Sequence, residues 1–280
     1  MNGSFANPDV LAFYRQLPFN FYGTTPVAVA SIRKLDPIQH YPPLAPIVRP
    51  AMRVLDVGCG CGWFVTGLAY HHRVRATGLD FNGVALAQGR EISQALGVDV
   101  DLIEGDLFLH KPNEPYDLVT SLGVLHHTND CLAGLRHLCR NLVRPGGHLL
   151  VGLYHASGRR PFLAHFERLK AAGADEEELF RAYKALDSRH TDEVHARSWF
   201  RDQVLHPHET QHTLAEVVPV LQEMGLALRA TSINRFAPIE SLEALYRQEA
   251  ELEVTAQRYL DQRRYFPGFF VLFAEKQLAV

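Results

Sequence analysis

From residue 52 onward, apolar residues fall into short runs separated by longer stretches of helical period. The runs at 52–57, 73–79, 98–103, 116–122 and 148–154 read as strands, and the stretches at 62–71, 83–96 and 129–143 read as helices. Strands alternating with helices are the pattern of a parallel sheet with crossover helices. The helix over 129–143 is expected to stop at Arg144-Pro145-Gly146-Gly147, a helix breaker followed by two permissive glycines.

The pattern changes on both sides of this block. Residues 1–50 are rich in proline and aromatics (Phe13, Tyr14, Phe19, Phe21, Tyr22, Tyr41) and predict a helix followed by an irregular segment. Residues 156–212 lack strand character: a charged helical stretch, Asp175 to Leu186, precedes a His- and Arg-rich segment. Thr213 with Glu216 three residues on forms a capping box opening a helix that ends at Gly225. A strand at 226–233, a helical excursion over 239–262 and a last strand at 269–275 follow. Five parallel strands plus a closing pair is the simplest assembly. The chain divides into a cover (1–50), a core (51–155), a helical and His-rich insertion (156–212) and a C-terminal part of the core sheet (213–280).

Composition narrows the partners. The formal charge is −3, and no run of Lys or Arg exceeds a pair such as Arg159-Arg160 or Arg263-Arg264. Nucleic-acid binding needs concentrated positive charge to displace counterions, so nucleic acid is an unfavoured partner. Cys59 and Cys61 sit in a Gly-rich turn, and Cys131 and Cys139 share a predicted helix, a usage that suits a reducing compartment. No apolar stretch is long enough to span a bilayer, and Met1 to Pro8 lacks the basic start and apolar run of a leader. A cytoplasmic protein without a membrane partner is the expectation; the sequence does not speak to oligomeric state.

The main chemical signal is Asp56-Val57-Gly58-Cys59-Gly60-Cys61-Gly62, between a predicted strand and a predicted helix. Glycines there let the backbone turn sharply and approach a ligand closely. A dinucleotide fingerprint would require a third glycine at 63, where this chain has Trp63. The acid before the loop suits a ligand bearing an ammonium group. Asp80 ends the next strand, where a carboxylate can accept both hydroxyl hydrogens of a ribose. Asp106 follows the third strand and can accept from an adenine amino group. Each of these acids alone is more often a turn or cap residue; three at successive strand ends after a Gly loop are not readily coincidence.

On these motifs the chain resembles the class I S-adenosylmethionine-dependent methyltransferases, most closely over residues 50–155. The stretch Tyr116 to His127 is similar to that family's fourth strand and following loop, and Arg144 to Leu150 to its entry into strand five. The resemblance implies an α/β, Rossmann-like, mostly parallel seven-stranded sheet with an antiparallel last strand and helical additions over the acceptor site. It implies S-adenosylmethionine as cofactor and S-adenosylhomocysteine as product. Asp56, Gly58, Cys59, Gly60 and Gly62 would hold the methionine part, Asp80 the ribose and Asp106 the adenine amine. Phe81 and Leu107 would flank the adenine, and Ser121 would complete the site.

After the fourth strand there is Ser121-Leu122-Gly123-Val124 in place of the Asn/Asp-Pro-Pro-aromatic element of many nitrogen methyltransferases, and no Pro-Cys pair. Leu125-His126-His127 resembles the small-molecule branch, so a small-molecule acceptor is expected. RNA or protein methylation, and cofactor binding without turnover, are the alternatives. His127, His126 and His155 are candidate bases, His127 foremost; the plainer role for each is to shape a loop. Tyr14, Tyr22, Trp199, Arg197, Arg201 and His208 are candidate acceptor contacts, with core packing or structural ion pairs as their ordinary roles. His208-Glu209-Thr210-Gln211-His212 matches H-E-x-x-H, but that motif needs a helix and here the helix starts at Thr213. No metal is therefore assigned, although His206, His208 and His212 could bind one from a loop.

Overall fold

The computed structural model describes residues 8–190 and 192–278. The leader question at the N-terminus concerns residues 1–7, which lie outside the described residues.

The N-terminal cover holds helices α1 (Pro8–Gln16), α2 (Thr25–Lys34) and α3 (Pro37–His40), richer in helix than expected. The core then alternates β1 (Arg53–Val57), α4 (Trp63–His72), β2 (Arg75–Asp80), α5 (Gly83–Leu96), β3 (Val100–Glu104), β4 (Tyr116–Leu122), α6 (Cys131–His137) and β5 (Val143–Tyr154). The insertion contributes α7 (Ala156–Ala171), α8 (Glu176–Leu186) and α9 (Glu193–Phe200). Last come α10 (Leu214–Glu223), β6 (Leu226–Thr231), α11 (Leu242–Ala250), α12 (Leu252–Asp261) and β7 (Phe269–Lys276). No described helix is long and apolar enough to cross a membrane.

The sheet order is β3-β2-β1-β4-β5-β7-β6, with β1 to β5 parallel and β7 antiparallel to both neighbours. The Rossmann-like sheet with one antiparallel strand is the expected fold. The central strands β1 and β4 and the second half of β5 are buried on both faces, which is why they read as continuous apolar runs rather than as alternation. Period-two geometry still sorts their side chains. Leu55, Val57, Val119, Leu149 and Val151 pack with Leu135 of α6 and Val217 of α10. Val54, Leu118 and Leu150 pack on the other face with Phe64, Val65 and Leu68 of α4. The insertion has its own apolar cluster, built from Phe162, Phe166, Phe180, Tyr183 and Phe200.

The helix expected over 129–143 is present as an α-helix to His137 and a wider π-helical turn over Leu138–Leu142 that leads straight into β5. Three local readings differ from the structure. Strand β5 begins at Val143, not 148, because the expected stop is a bulge: Tyr116 pairs with Val143 and Leu118 with His148. Pro145 has no N–H to offer and Gly146 takes φ +69, so the chain leaves the ladder and rejoins it. The excursion over 239–262 is two helices divided at Glu251. Helix α7, which holds Pro161 in its interior, was not anticipated. The expected capping box at Thr213–Glu216 is formed, and the structure holds a second at Asp175–Glu178.

Candidate active site

Strand order reverses between β1 and β4, which places a crevice at the carboxyl ends of the parallel strands, the usual ligand position in such sheets. A cavity of about 450 Å³ opens there, walled by the glycine loop, the strand ends of β1, β2 and β4, helix α1 and the α9 region.

The loop between β1 and α4 is shaped by Gly58, Gly60 and Gly62, at φ +73, +54 and +75. A Cβ at Gly58 would lie 2.3 Å from Val124 Cγ2, so the glycine is demanded by the approach of the loop after β4 as well as by φ. The amides of Gly58 and Cys59 both donate to the Leu79 carbonyl, at 2.7 and 3.1 Å, which ties this loop to β2. Gly60 N–H donates to Asp80 Oδ2 and Asn82 N–H to Asp80 Oδ1, each at 2.8 Å. Thr120 Oγ1 donates to Asp56 Oδ1 at 2.7 Å.

Both acids are buried, and burial pushes Asp56 up to about 7 and Asp80 up to about 6 against the hydrogen bonds that favour their charged forms. A site holding two costly carboxylates is a site for a ligand that supplies cationic or hydroxyl donors. That chemistry fits the ammonium and ribose hydroxyls of S-adenosylmethionine. Asp106, Leu107 and Phe108 border the cavity further along, with Phe108 N–H donating to Asp106 Oδ1 at 2.9 Å.

At the other end, His127 sits 5 % exposed at the cavity wall. Its Nδ1 lies 2.9 Å from the His208 carbonyl oxygen. A carbonyl only accepts, so the proton is on Nδ1 and the lone pair is on Nε2. That Nε2 is 3.7 Å from Asp202 Oδ1. Burial lowers the imidazole's pKa, with Asp202 opposing, so the ring is a neutral base at pH 7. Asp202 accepts from Tyr14 Oη at 2.5 Å, from Tyr154 Oη at 3.1 Å and from Gln203 Nε2 at 2.8 Å. Burial, and then Asp202 itself, push both phenols well up, so both remain donors.

The His-rich segment is a strap rather than a helix. Thr210 N–H donates to the His126 carbonyl at 2.8 Å, and His212 N–H to the Tyr154 carbonyl at 2.9 Å. His155 and His212 form a parallel bridge. Arg159 of α7, fully buried, binds Glu209 through Nε and Nη2 at 3.0 and 2.9 Å and stacks over Tyr154. The strap thus fixes the loops after β4 and β5 and delivers the His208 carbonyl to His127.

Among the described residues His127, Asp202 and His206 bring potential ligand atoms within 4.8 Å of one another. The rings of His127 and His206, however, stack at 3.7 Å with planes only 28° apart. A metal bound by imidazole lies in the ring plane, and two stacked planes share no such point nearby. His206 Nδ1 is also engaged, accepting the His208 N–H at 3.1 Å. His208 and His212 are occupied through Nε2 with the Thr128 carbonyl and Thr210 Oγ1. The trio as it stands is a stacked pair beside a carboxylate.

Of the residues singled out in the sequence, Asp56, Gly58, Cys59, Gly60, Asp80, Phe81, Asp106, Leu107, His127, Tyr14 and Trp199 line this cavity. Others do not. Gly62 caps α4 behind the loop, and Ser121 is buried in β4. His126 is fully buried, accepts the Tyr154 N–H through Nδ1 and stacks on Tyr154. His155 caps α7 and pairs with Glu249 at 2.8 Å. Tyr22 bonds Ser31 and stacks on His195. Arg197 pairs with Glu177 and Glu193, and Arg201 bonds Gln16. Asn82, Tyr41, Tyr154, Asp202, Gln203, Tyr265 and Phe269 line the cavity and were not anticipated. Tyr154 ends β5 beside His155 and Asn82 follows Asp80 by two, positions a strand-end argument could have reached; for Asp202 and Gln203, in the turn after α9, there was no local signal.

Residues 54–147 match a family model described as a methyltransferase domain. Among curated proteins, the chain is similar to the ubiquinone biosynthesis O-methyltransferases of Klebsiella pneumoniae subsp. pneumoniae and Serratia proteamaculans. The first is 32% identical over 114 residues, 40% of this chain and 46% of the relative. The second is 37% identical over 98 residues, 34% of this chain and 40% of the relative. The chain thus spans about half or less of the length of the curated relatives it matches. Among solved structures, magnesium protoporphyrin IX methyltransferase from Synechocystis PCC 6803 with bound SAH aligns at TM-score 0.53 and 16% identity, covering 95% of this chain and 94% of that one. PKMT2 from Rickettsia typhi in complex with AdoHcy aligns at TM-score 0.58 and 16% identity, covering 82% and 49%. With the matching domain, the strand order and the strand-end acids taken together, residues 54–147 form a methyltransferase domain, and through this core the chain is similar to the class I S-adenosylmethionine-dependent methyltransferases.

Proposed function

We propose that this protein transfers a methyl group from S-adenosylmethionine to a small-molecule acceptor, with His127 removing the acceptor's proton. The observation that carries the reading is that one cavity joins the Gly-loop acids to a buried imidazole with its lone pair available. When bound, the cofactor supplies an electrophilic methyl on a sulfonium. Asp80 would accept from the ribose hydroxyls, Asp56 would face the ammonium and Asp106 the adenine amine. Helix α1 and the α9 turn would keep water out and orient the acceptor, from which much of the rate of an in-line displacement can come. His127 Nε2 would take the acceptor proton, and Asp202 would steady the imidazolium that results. The similarity to ubiquinone biosynthesis O-methyltransferases supports a small molecule, as does the absence of a basic run in the sequence.

The test is transfer of labelled methyl from S-adenosylmethionine into a fractionated cell extract, with and without the purified protein. Enzyme-dependent label in the small-molecule fraction is the expected result. Label confined to RNA or protein would overturn the acceptor class, and no label would favour cofactor binding without turnover.

A further inference from the structure

Resting on that reading, we infer that Asp202 selects the acceptor by charge: the cavity takes a planar apolar molecule bearing an uncharged or cationic hydrogen-bond donor and rejects anions. Asp202 is 4 % exposed, and among the described residues no Lys or Arg forms an ion pair with it. Its three close donors, Tyr14, Tyr154 and Gln203, are neutral groups that solvate the charge without cancelling it. The neighbouring guanidinium of Arg159 is committed to Glu209, and the two cancel. Among the described residues Arg189 is the one arginine on the cavity wall; it is held by Asp187 through Nε and Nη2 at 2.7 and 2.8 Å. No lysine lines the cavity among the described residues. Arg197 and Arg201 are engaged elsewhere, with Glu177 and Gln16.

This end of the cavity therefore carries one net negative charge in a medium that screens it poorly, where a second anion is repelled. A hydroxyl or ammonium meets two acceptors side by side, His127 Nε2 and Asp202 Oδ1, 3.7 Å apart. Phe19, Trp199 and Phe269 give flat apolar walls for the rest of the molecule, and aromatic faces favour cations further.

Three probes with the same tolyl body separate the outcomes: 4-methylphenol, 4-methylbenzylamine and 4-methylbenzoate. Their binding is read by quenching of tryptophan fluorescence, since Trp199 and Trp63 both line the cavity. The ranking is taken with and without S-adenosylhomocysteine, so it decides this inference whatever the cofactor result does to the methyl-transfer reading. The phenol, the amine or both are expected to bind at least about tenfold more tightly than the benzoate. The Asp202→Asn variant is expected to reduce that gap to within about threefold. Should the variant fail to fold, the wild-type ranking stands alone as the test. Benzoate binding as well as the others, no binding of phenol or amine at millimolar concentration, or a gap that survives in a folded Asp202→Asn protein would each overturn the inference.

Discussion

His127 Nδ1 and the His208 carbonyl oxygen, 81 residues apart in sequence, lie 2.9 Å apart, and this contact fixes which nitrogen of the candidate base is free. The carbonyl belongs to the strap that Arg159 and Glu209 clamp to the sheet, so the protonation geometry of one side chain depends on a segment with no catalytic atom of its own.

Replacing His127 with Asn should lower methyl transfer by about 10²–10⁴-fold, the usual range for a lost general base, with little change in cofactor affinity. Because burial depresses the imidazole's pKa, the wild-type rate should stay flat through pH 6.5 and fall only at lower pH. Steady-state rates across pH, with cofactor binding measured in parallel, check both statements; a base elsewhere would leave the variant near wild-type activity.

The Arg159–Glu209 pair is buried at 0 % and 11 % side-chain exposure, and Arg159 also binds the Gln203 carbonyl and side chain. Glu209→Gln leaves a buried guanidinium without its counter-charge and should destabilise the protein by about 3–5 kcal/mol. Chemical denaturation measures this. A loss below about 1 kcal/mol would place the pair among weak surface bridges.

Cofactor binding should release protons between about pH 6 and 7. Burial holds Asp56 near 7 and Asp80 near 6 in the free protein, so both are partly protonated there. An ammonium beside one and hydroxyl donors on the other favour the charged forms and lower both values. The same raised values make the free protein lose stability as pH rises from the ordinary carboxylate range, near 4, through about 7. Cofactor affinity should correspondingly weaken as pH falls below 7. Calorimetry at pH 6.5 in buffers of different ionisation enthalpy reads the release directly; identical heats would refute it.

The core was legible because its signals are local. The Gly loop, Asp80 and Asp106 follow strand ends that read as apolar runs, and the parallel order then brings them together. Cap chemistry was equally legible, since Thr213 and Glu216 need only each other. The acceptor end was not. Asp202 is one acid among many in a polar stretch, and only the fold of α7 to α9 carries it to His127 and Tyr14, 75 and 188 residues away. Arg197 and Arg201 invited an acceptor-contact role because sequence shows charge but not its partners, and Glu177 lies twenty residues from Arg197. Helix α7 was missed: 156–171 was read only as lacking strand character, and the helix holds a proline, Pro161, in its interior.

The most direct test of the account is calorimetric titration of S-adenosylhomocysteine into the wild-type protein and Asp80→Ala. Asp80 lines the cavity but lies outside the apolar clusters, so its removal should leave the thermal unfolding cooperative. The account predicts saturable one-to-one binding by the wild type and an affinity lower by about 10–100-fold in the folded variant, as expected for lost hydrogen bonds to a charged group. Equal affinity in the two proteins, or no binding by the wild type, would contradict it.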